Sequence, residues 1–303
     1  MKLVYATRKS ALALAQSRAF IKQLVQRYPH VEPEELQIVT TGDTIQHIPL
    51  FEVGGKGLFV KEIEQALVDG RAHIAVHSMK DVPNAIPNGL CMASHPVRED
   101  PRDAFVSKRF ASLASLPSGA RVGSSSLRRM TLVRALRPDL DLIPLRGNVD
   151  TRLRKLDAGE FDGILLAAAG LRRLGLEKRI AEALDPAQFI PAVAQGALGI
   201  ECRQGDDATR ELLAGIHDES TAIAVATERG VLEALEGDCK TPLGAFAQQE
   251  GEMMRLIAFV ASHDGTRLHR REIAFPWPDP DLARARGLEV GLVLAADRNS
   301  SLE

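Results

Sequence analysis

Within seven residues, His77-Ser78-Met79-Lys80-Asp81-Val82-Pro83 offers an imidazole, a hydroxyl, an ammonium and a carboxylate. A carboxylate beside an ammonium can hold or move a proton, or balance a cation as it forms. The preceding run, Ala72-His73-Ile74-Ala75-Val76, is short and apolar, the pattern of a buried parallel strand. Pro83 cannot donate to a sheet ladder and moves Val82 out of helical conformation. Ser78, Lys80 and Asp81 are thereby set just past the carboxyl end of a strand, where open α/β sheets place their ligands. Asp43, in Thr40-Thr41-Gly42-Asp43, also follows a strand pattern and is a candidate partner for Lys80.

A second candidate is a thiol. Cys91 and Cys202 lie in apolar, strand-like runs and are expected to be inert core residues, whereas Cys239 sits in the turn Gly237-Asp238-Cys239-Lys240-Thr241-Pro242. Lys240 beside it favours the thiolate. Three widely spaced cysteines make neither a disulfide framework nor a zinc site, and no metal is expected. His73 and His77 fit strand positions as well as they fit general bases.

A third signal is electrostatic. Helix N-termini carry partial positive charge, so a Lys or Arg there costs ~0.3–1 kcal/mol. Yet cations recur where strands give way to helices: Arg8 and Lys9 before Ser10, Arg128 and Arg129 after Ser126, Arg146 with Arg152, Arg172 with Arg173, and Lys56. An anion bound at such places offsets the cost, and arginine's planar fork suits carboxylate or phosphate. The glycines of Gly54-Gly55-Lys56-Gly57 lack phosphate-loop spacing, which favours carboxylates.

These residues need a frame. The first hundred residues alternate strand and helix patterns, implying a mostly parallel sheet covered by helices. His95 to Arg102, with two prolines and no periodicity, is expected to cross between lobes, and a second alternating unit follows. Leu198-Gly199-Ile200-Glu201-Cys202 is strand-like and is expected to return to the first sheet. From about Thr221 a helix, three strand-like segments and a last helix suggest a small α+β domain. The expected division is 1–96 with 197–216, then 102–192, then 220–303.

Composition narrows the choices. At 26% charged residues, a formal net charge of −2 and 4% aromatics, the chain lacks the basic excess and stacking surfaces of a nucleic-acid binder. Its longest apolar run, Ile164–Ala169, falls far short of the ~18 residues that cross a bilayer. No stretch has the ~7–15-residue apolar core of an export signal, so the cytoplasm is expected.

Ordered blocks along nearly the whole chain resemble porphobilinogen deaminases, also called hydroxymethylbilane synthases. They run from Thr7-Arg8-Lys9-Ser10 through Thr41-Gly42-Asp43, Gly54-Gly55-Lys56-Gly57-Leu58-Phe59 and Val76–Pro83. They continue through Gly123–Arg129, Leu145-Arg146-Gly147-Asn148-Val149, Ala168–Leu171, Ala194-Gln195-Gly196-Ala197 and Leu235–Cys239. The resemblance implies two doubly wound α/β domains like those of periplasmic binding proteins, a cleft site between them, and a small α+β C-terminal domain. It implies a dipyrromethane cofactor thioether-linked to Cys239, on which four porphobilinogen molecules are deaminated and joined head to tail. Hydrolysis then releases hydroxymethylbilane.

By position, Lys80, Ser126, Arg128, Arg129, Asp43 and Ser78 would hold the cofactor with Cys239, and Arg8, Ser10, Arg146, Arg152, Arg173 and Gln195 would hold substrate. Asp81 would stabilise positive charge on pyrrole nitrogens as ammonia leaves and an azafulvene forms. The resemblance favours a monomer with no nucleic-acid or membrane partner, supplying a downstream uroporphyrinogen-III synthase. The alternative reading is a non-catalytic two-lobed binding protein for a small dicarboxylate; a phosphate-ester enzyme would need metal ligands that are not evident.

Overall fold

Parallel pairing of β1 (Lys2–Arg8) with β2 (Glu32–Ile38) on one side and β3 (Ile74–Ser78) on the other starts the first sheet. The sheet order is β2-β1-β3-β10-β4, with β4 at Leu90–Ser94 and β10 at Leu198–Arg203. The computed structural model describes residues 1–44, 57–236, 241–262 and 265–300. By contacts these residues fall into one unit of 1–44, 57–99 and 197–222 and another of 100–196 and 223–300.

In the first unit, α1 (Ala11–Arg27) lays Phe20, Ile21 and Leu24 on one face of the sheet, against Leu3, Ile74, Ile200 and Cys202. Each such fully buried side chain is worth roughly 1.5–3 kcal/mol. The opposite face takes Ile63, Ala66 and Leu67 of α2 (Lys61–Val68), packed with Ala6, Ala75 and Leu90. As expected, the 198–203 strand returns to this sheet, and it does so antiparallel to both β3 and β4. Four of the five strands thus run the same way, as a mostly parallel sheet requires. Strand β10 alone makes it mixed, because a strand arriving from elsewhere in the chain has no crossover helix to set it parallel.

The second unit repeats the pattern. Its sheet order is β7-β6-β8-β5-β9, from Asp141–Ile143, Arg121–Gly123, Gly163–Ala167, Asp103–Val106 and Glu182–Ala183. Strand β5 is antiparallel to β8 and β9, so this sheet is mixed for the same reason. Helices α3 (Leu127–Leu136), α4 (Val149–Asp157) and α5 (Ala168–Arg173) serve it. Helix α6 (Asp207–Ala214) belongs to the first unit, and α7 (Glu219–Ala234) leads to an antiparallel meander. That meander is β11 (Leu243–Glu250), β12 (Met253–Ala261) and β13 (Leu268–Pro276), followed by α8 (Pro280–Ser300). Phe246, Ile257 and Phe259 of the meander share a core with Phe105, Val122, Leu132 and Leu165.

Cys91 and Cys202 are cross-strand neighbours with sulfurs 4.0 Å apart. Burial pushes the Cys202 thiol up to about 12, which fits an inert core residue. No helix among the described residues is long and apolar enough to cross a membrane.

One buried carboxylate ties three segments of the second unit together. Glu228 of α7 is fully buried and accepts the amide of Ala194 at 2.6 Å and that of Ala247 at 2.9 Å. Ala194 holds φ 57°, a left-handed conformation that a non-glycine residue adopts only at a cost of about 1–3 kcal/mol. Glu228→Ala strands both amides at about 1–3 kcal/mol each. A fall in the urea midpoint of the second unit checks this; an unchanged midpoint contradicts it.

Candidate functional site

In the first unit, β3 ends at Ser78 and the chain turns through a single 3₁₀ turn, Met79–Asp81. The Met79 amide donates to Ala197 O at 3.1 Å and the Val82 amide back to Met79 O at 3.2 Å. Met79 is buried, while Lys80 and Asp81 are exposed beyond the sheet end, where the pattern of strand and proline puts them. Ser78 Oγ accepts from Gln16 Nε2 at 3.1 Å. Behind the turn, His77 Nε2 and Glu201 Oε2 form a buried pair at 2.9 Å.

Arg8 sits at the end of β1, and Ser10 caps α1 by accepting the Ala13 amide. The Arg8 guanidinium grips Asp43 through Nε (3.2 Å) and Nη2 (2.5 Å) and lies 4.1 Å over the Phe59 ring. Burial alone would raise the Asp43 carboxyl, but the hydrogen bonds and charge of Arg8, with the Thr40 hydroxyl and amide, bring it below its usual value. Asp43, considered as a partner for Lys80, thus has Arg8 as a partner. The Thr40-Thr41-Gly42 approach allows this because Gly42 faces the Phe59 ring, where a Cβ would stand 2.2 Å from a ring carbon.

The second unit gathers cations. Ser126 caps α3, accepting the Arg129 amide, which sets Arg128 and Arg129 in the first turn. Both are buried on the carboxylate of Asp103: Arg128 donates through Nη1 (2.7 Å) and Nη2 (3.0 Å), Arg129 through Nε (2.7 Å). Arg128 also donates to Ile190 O and Arg129 to Leu165 O. Gln195 Nε2 reaches Pro101 O at 2.8 Å and Asp103 at 3.3 Å. Burial would raise the Asp103 carboxyl, yet the two guanidiniums hold it down to about 2. At this helix start, then, the anion that offsets the misplaced arginines belongs to the protein.

Arg152 is different. Its Nε donates to Gly147 O at 2.7 Å, while burial and the charges of Arg129 and Arg146 pull it down to about 10. The charges of Arg128, Arg129, Arg152 and Arg146 thus act on one another in a run that begins with the two arginines on Asp103. Arg172 and Arg173 correct an expectation: they close the last turn of α5 instead of opening a helix, which is where a helix dipole welcomes cations. Arg173 Nη2 donates to Gly196 O at 2.6 Å, and Arg172 pairs with Asp100. Cys239, Lys240 and Lys56 lie outside the described residues.

Residues 3–211 match the family described as "Porphobilinogen deaminase, dipyromethane cofactor binding domain", and residues 222–296 match "Porphobilinogen deaminase, C-terminal domain". The chain belongs to the porphobilinogen deaminase family. It is 54% identical to a porphobilinogen deaminase of Sorangium cellulosum over 91% of this chain and 92% of that one. With one from Methylobacillus flagellatus the identity is 51%, covering 98% and 96%. A periplasmic substrate-binding protein of an ABC transporter from Coxiella burnetii aligns over 75% of this chain and 96% of its own, at 12% identity and a TM-score of 0.44.

Porphobilinogen deaminases are hydroxymethylbilane synthase transferases, and the matched domain is the one that binds their dipyrromethane. The binding-protein alternative finds no support as a function. A dipyrromethane bears acetate and propionate groups, and the neighbouring guanidiniums of Arg128, Arg129, Arg146 and Arg152 suit such a polyanion. Asp103, Gln16 and Thr40 were not singled out from sequence. Asp103 had one legible trait, a carboxylate heading the apolar strand Asp-Ala-Phe-Val, since a charge in such a run must find a partner.

Asp103→Asn leaves two buried guanidiniums without their anion, a loss of about 3–5 kcal/mol. Because the folded carboxyl titrates below its unfolded value, the stability it contributes is present above about pH 4 and fades as pH falls toward about 2. Urea unfolding at neutral pH and through this acid range measures both; a variant as stable as its parent refutes the assignment.

Proposed function

We propose that this chain deaminates porphobilinogen and joins four units head to tail on a dipyrromethane primer attached through Cys239, releasing hydroxymethylbilane. The observation that carries the reading is the run of guanidiniums that begins with Arg128 and Arg129 on buried Asp103 and continues through Arg152 to Arg146. Burial first, and then the charges of Arg129 and Arg146, lower Arg152, and an anionic ligand beside it offsets both. When bound, the dipyrromethane supplies the free pyrrole carbon at which the next unit is joined.

The chain's own residues take the remaining tasks. Arg146 and Arg152, on partly exposed positions, bind acetate and propionate groups, while Arg128 and Arg129 contribute field from their fixed places on Asp103. Arg173, pinned to Gly196 O, and Gln195 set the edge of this surface. In the first unit, Asp43 occupies the Nε and Nη2 side of Arg8, which leaves the Nη1 hydrogens to a substrate carboxylate. Ser10 and Ser126 act through the helix starts they cap, and Ser78 and Lys80 flank the reacting pyrrole.

Asp81, exposed at the sheet end, balances the cation that grows on the substrate as ammonia leaves and takes a proton once the carbon–carbon bond has formed. The family's biosynthetic role supports action in the cytoplasm, as a monomer whose product passes to a uroporphyrinogen-III synthase.

Asp81→Asn is expected to lower kcat by about 10²-fold or more, with denatured-protein mass still showing the dipyrrole on the Cys239 peptide. Wild-type turnover in that variant, or an unmodified chain that is fully active, overturns the reading. Arg152→Leu removes a charge that the empty fold bears at a cost below about pH 10, so Tm without ligand stays level or rises. Its KM for porphobilinogen rises at the same time. A lowered Tm with unchanged KM contradicts the assignment.

A further inference from the structure

The turn that carries Lys80 and Asp81 has a support that none of these roles uses. Met79, the residue before Lys80, is only 3% exposed, and its thioether folds back over Gly199 of β10. Gly199 is the register partner of His77 on the neighbouring strand. A Cβ on Gly199 would stand 2.2 Å from Met79 Sδ, 3.2 Å from Met79 Cγ and 2.5 Å from Met92 Sδ.

Two sulfurs therefore fill the space that any larger residue at 199 would claim. Gly199 is not among the glycines of positive φ, so the backbone conformation does not call for glycine there. Space does. Alternation along β10 puts Gly199 and Glu201 on one face, so the two thioethers share that face with the buried His77–Glu201 pair.

The turn is thus tied to β10 twice. The bond from the Met79 amide to Ala197 O fixes where the chain leaves the sheet. The seat of the Met79 side chain fixes the roll of the turn about that bond, and with it the aim of the two residues that follow. A side chain displaced from so enclosed a seat moves outward and takes the turn with it.

We propose that Gly199, together with Met92, is the positioning residue of the Lys80–Asp81 turn: the empty volume at its α-carbon seats the Met79 thioether and so aims the Asp81 carboxylate. This rests on the role given above to Asp81. Misplacement of a reacting group by about 1 Å costs up to about 10²-fold in rate, so a displaced turn registers in kcat before it registers in binding. The arginines expected to bind substrate carboxylates in the second unit are not part of this seat.

The test compares cofactor-loaded Gly199→Ala, Gly199→Ala/Met92→Ala and Asp81→Asn proteins with the parent. Gly199→Ala is expected to lower kcat by about 10- to 100-fold with KM for porphobilinogen within about twofold. Its mass retains the cofactor, and the ¹³C-methyl signals of Met79 and Met92 shift. Removing the Met92 side chain gives the Met79 thioether room, so the double variant recovers much of the lost kcat.

A Gly199→Ala kcat within about twofold of the parent overturns the proposal, as does a double variant no faster than the single one, or KM rising in step with the loss. An inactive Asp81→Asn beside a fully active Gly199→Ala sinks the seat alone. An active Asp81→Asn sinks the role of the aspartate itself. Should Gly199→Ala fail to fold, Met79→Ala empties the seat from the other side, and an undiminished kcat there overturns the proposal as well.

Discussion

The second unit is organised around a carboxylate in the wrong place by every rule of solvation. Asp103 is fully buried at the head of a four-residue strand, and it persists because two guanidiniums from the first turn of one helix close on it. Neither partner is tolerable alone: the arginines face the positive end of a helix, and the aspartate faces hydrocarbon. Together they weld α3 to β5, the strand with which the chain enters this unit. Gln195, where the chain prepares to leave it, hydrogen-bonds to the same carboxylate and to Pro101 O.

The first unit solves the same problem with a different partner. Arg8 at the end of β1 is matched by Asp43, itself held by Thr40, and roofed by the Phe59 ring. At both places an arginine that looked, from its neighbours in sequence, like a hook for a foreign anion is first an internal fastening. The guanidinium fork allows both, since a carboxylate engages only part of its five donors. Preorganisation of this kind makes a bound carboxylate's geometry a property of the fold more than of the ligand.

Much of this was legible beforehand, for identifiable reasons. The exposed turn after β3 follows from a β-branched run ended by proline, and the serine caps of α1 and α3 follow from serine ahead of apolar periodicity. Strand β5 was missed because Asp103–Val106 is too short to show a period and follows a proline-rich crossing. Arg172 and Arg173 were assigned to the start of a helix because the strand before them ends in alanines, which fit either element; α5 begins at Ala168 and ends at Arg173. The partners of Arg8 and Arg128 were hidden because pairing across 35 or 25 residues leaves no trace in local spacing.

Glu228 shows what such long-range ties bring about. Its two oxygens join a left-handed alanine in the 190s to strand β11, and the helix that carries it lies between the two in sequence. One side chain thus moors the chain to the same rigid core both before residue 237 and after residue 240, so the stretch between is held from its two ends by a common pin.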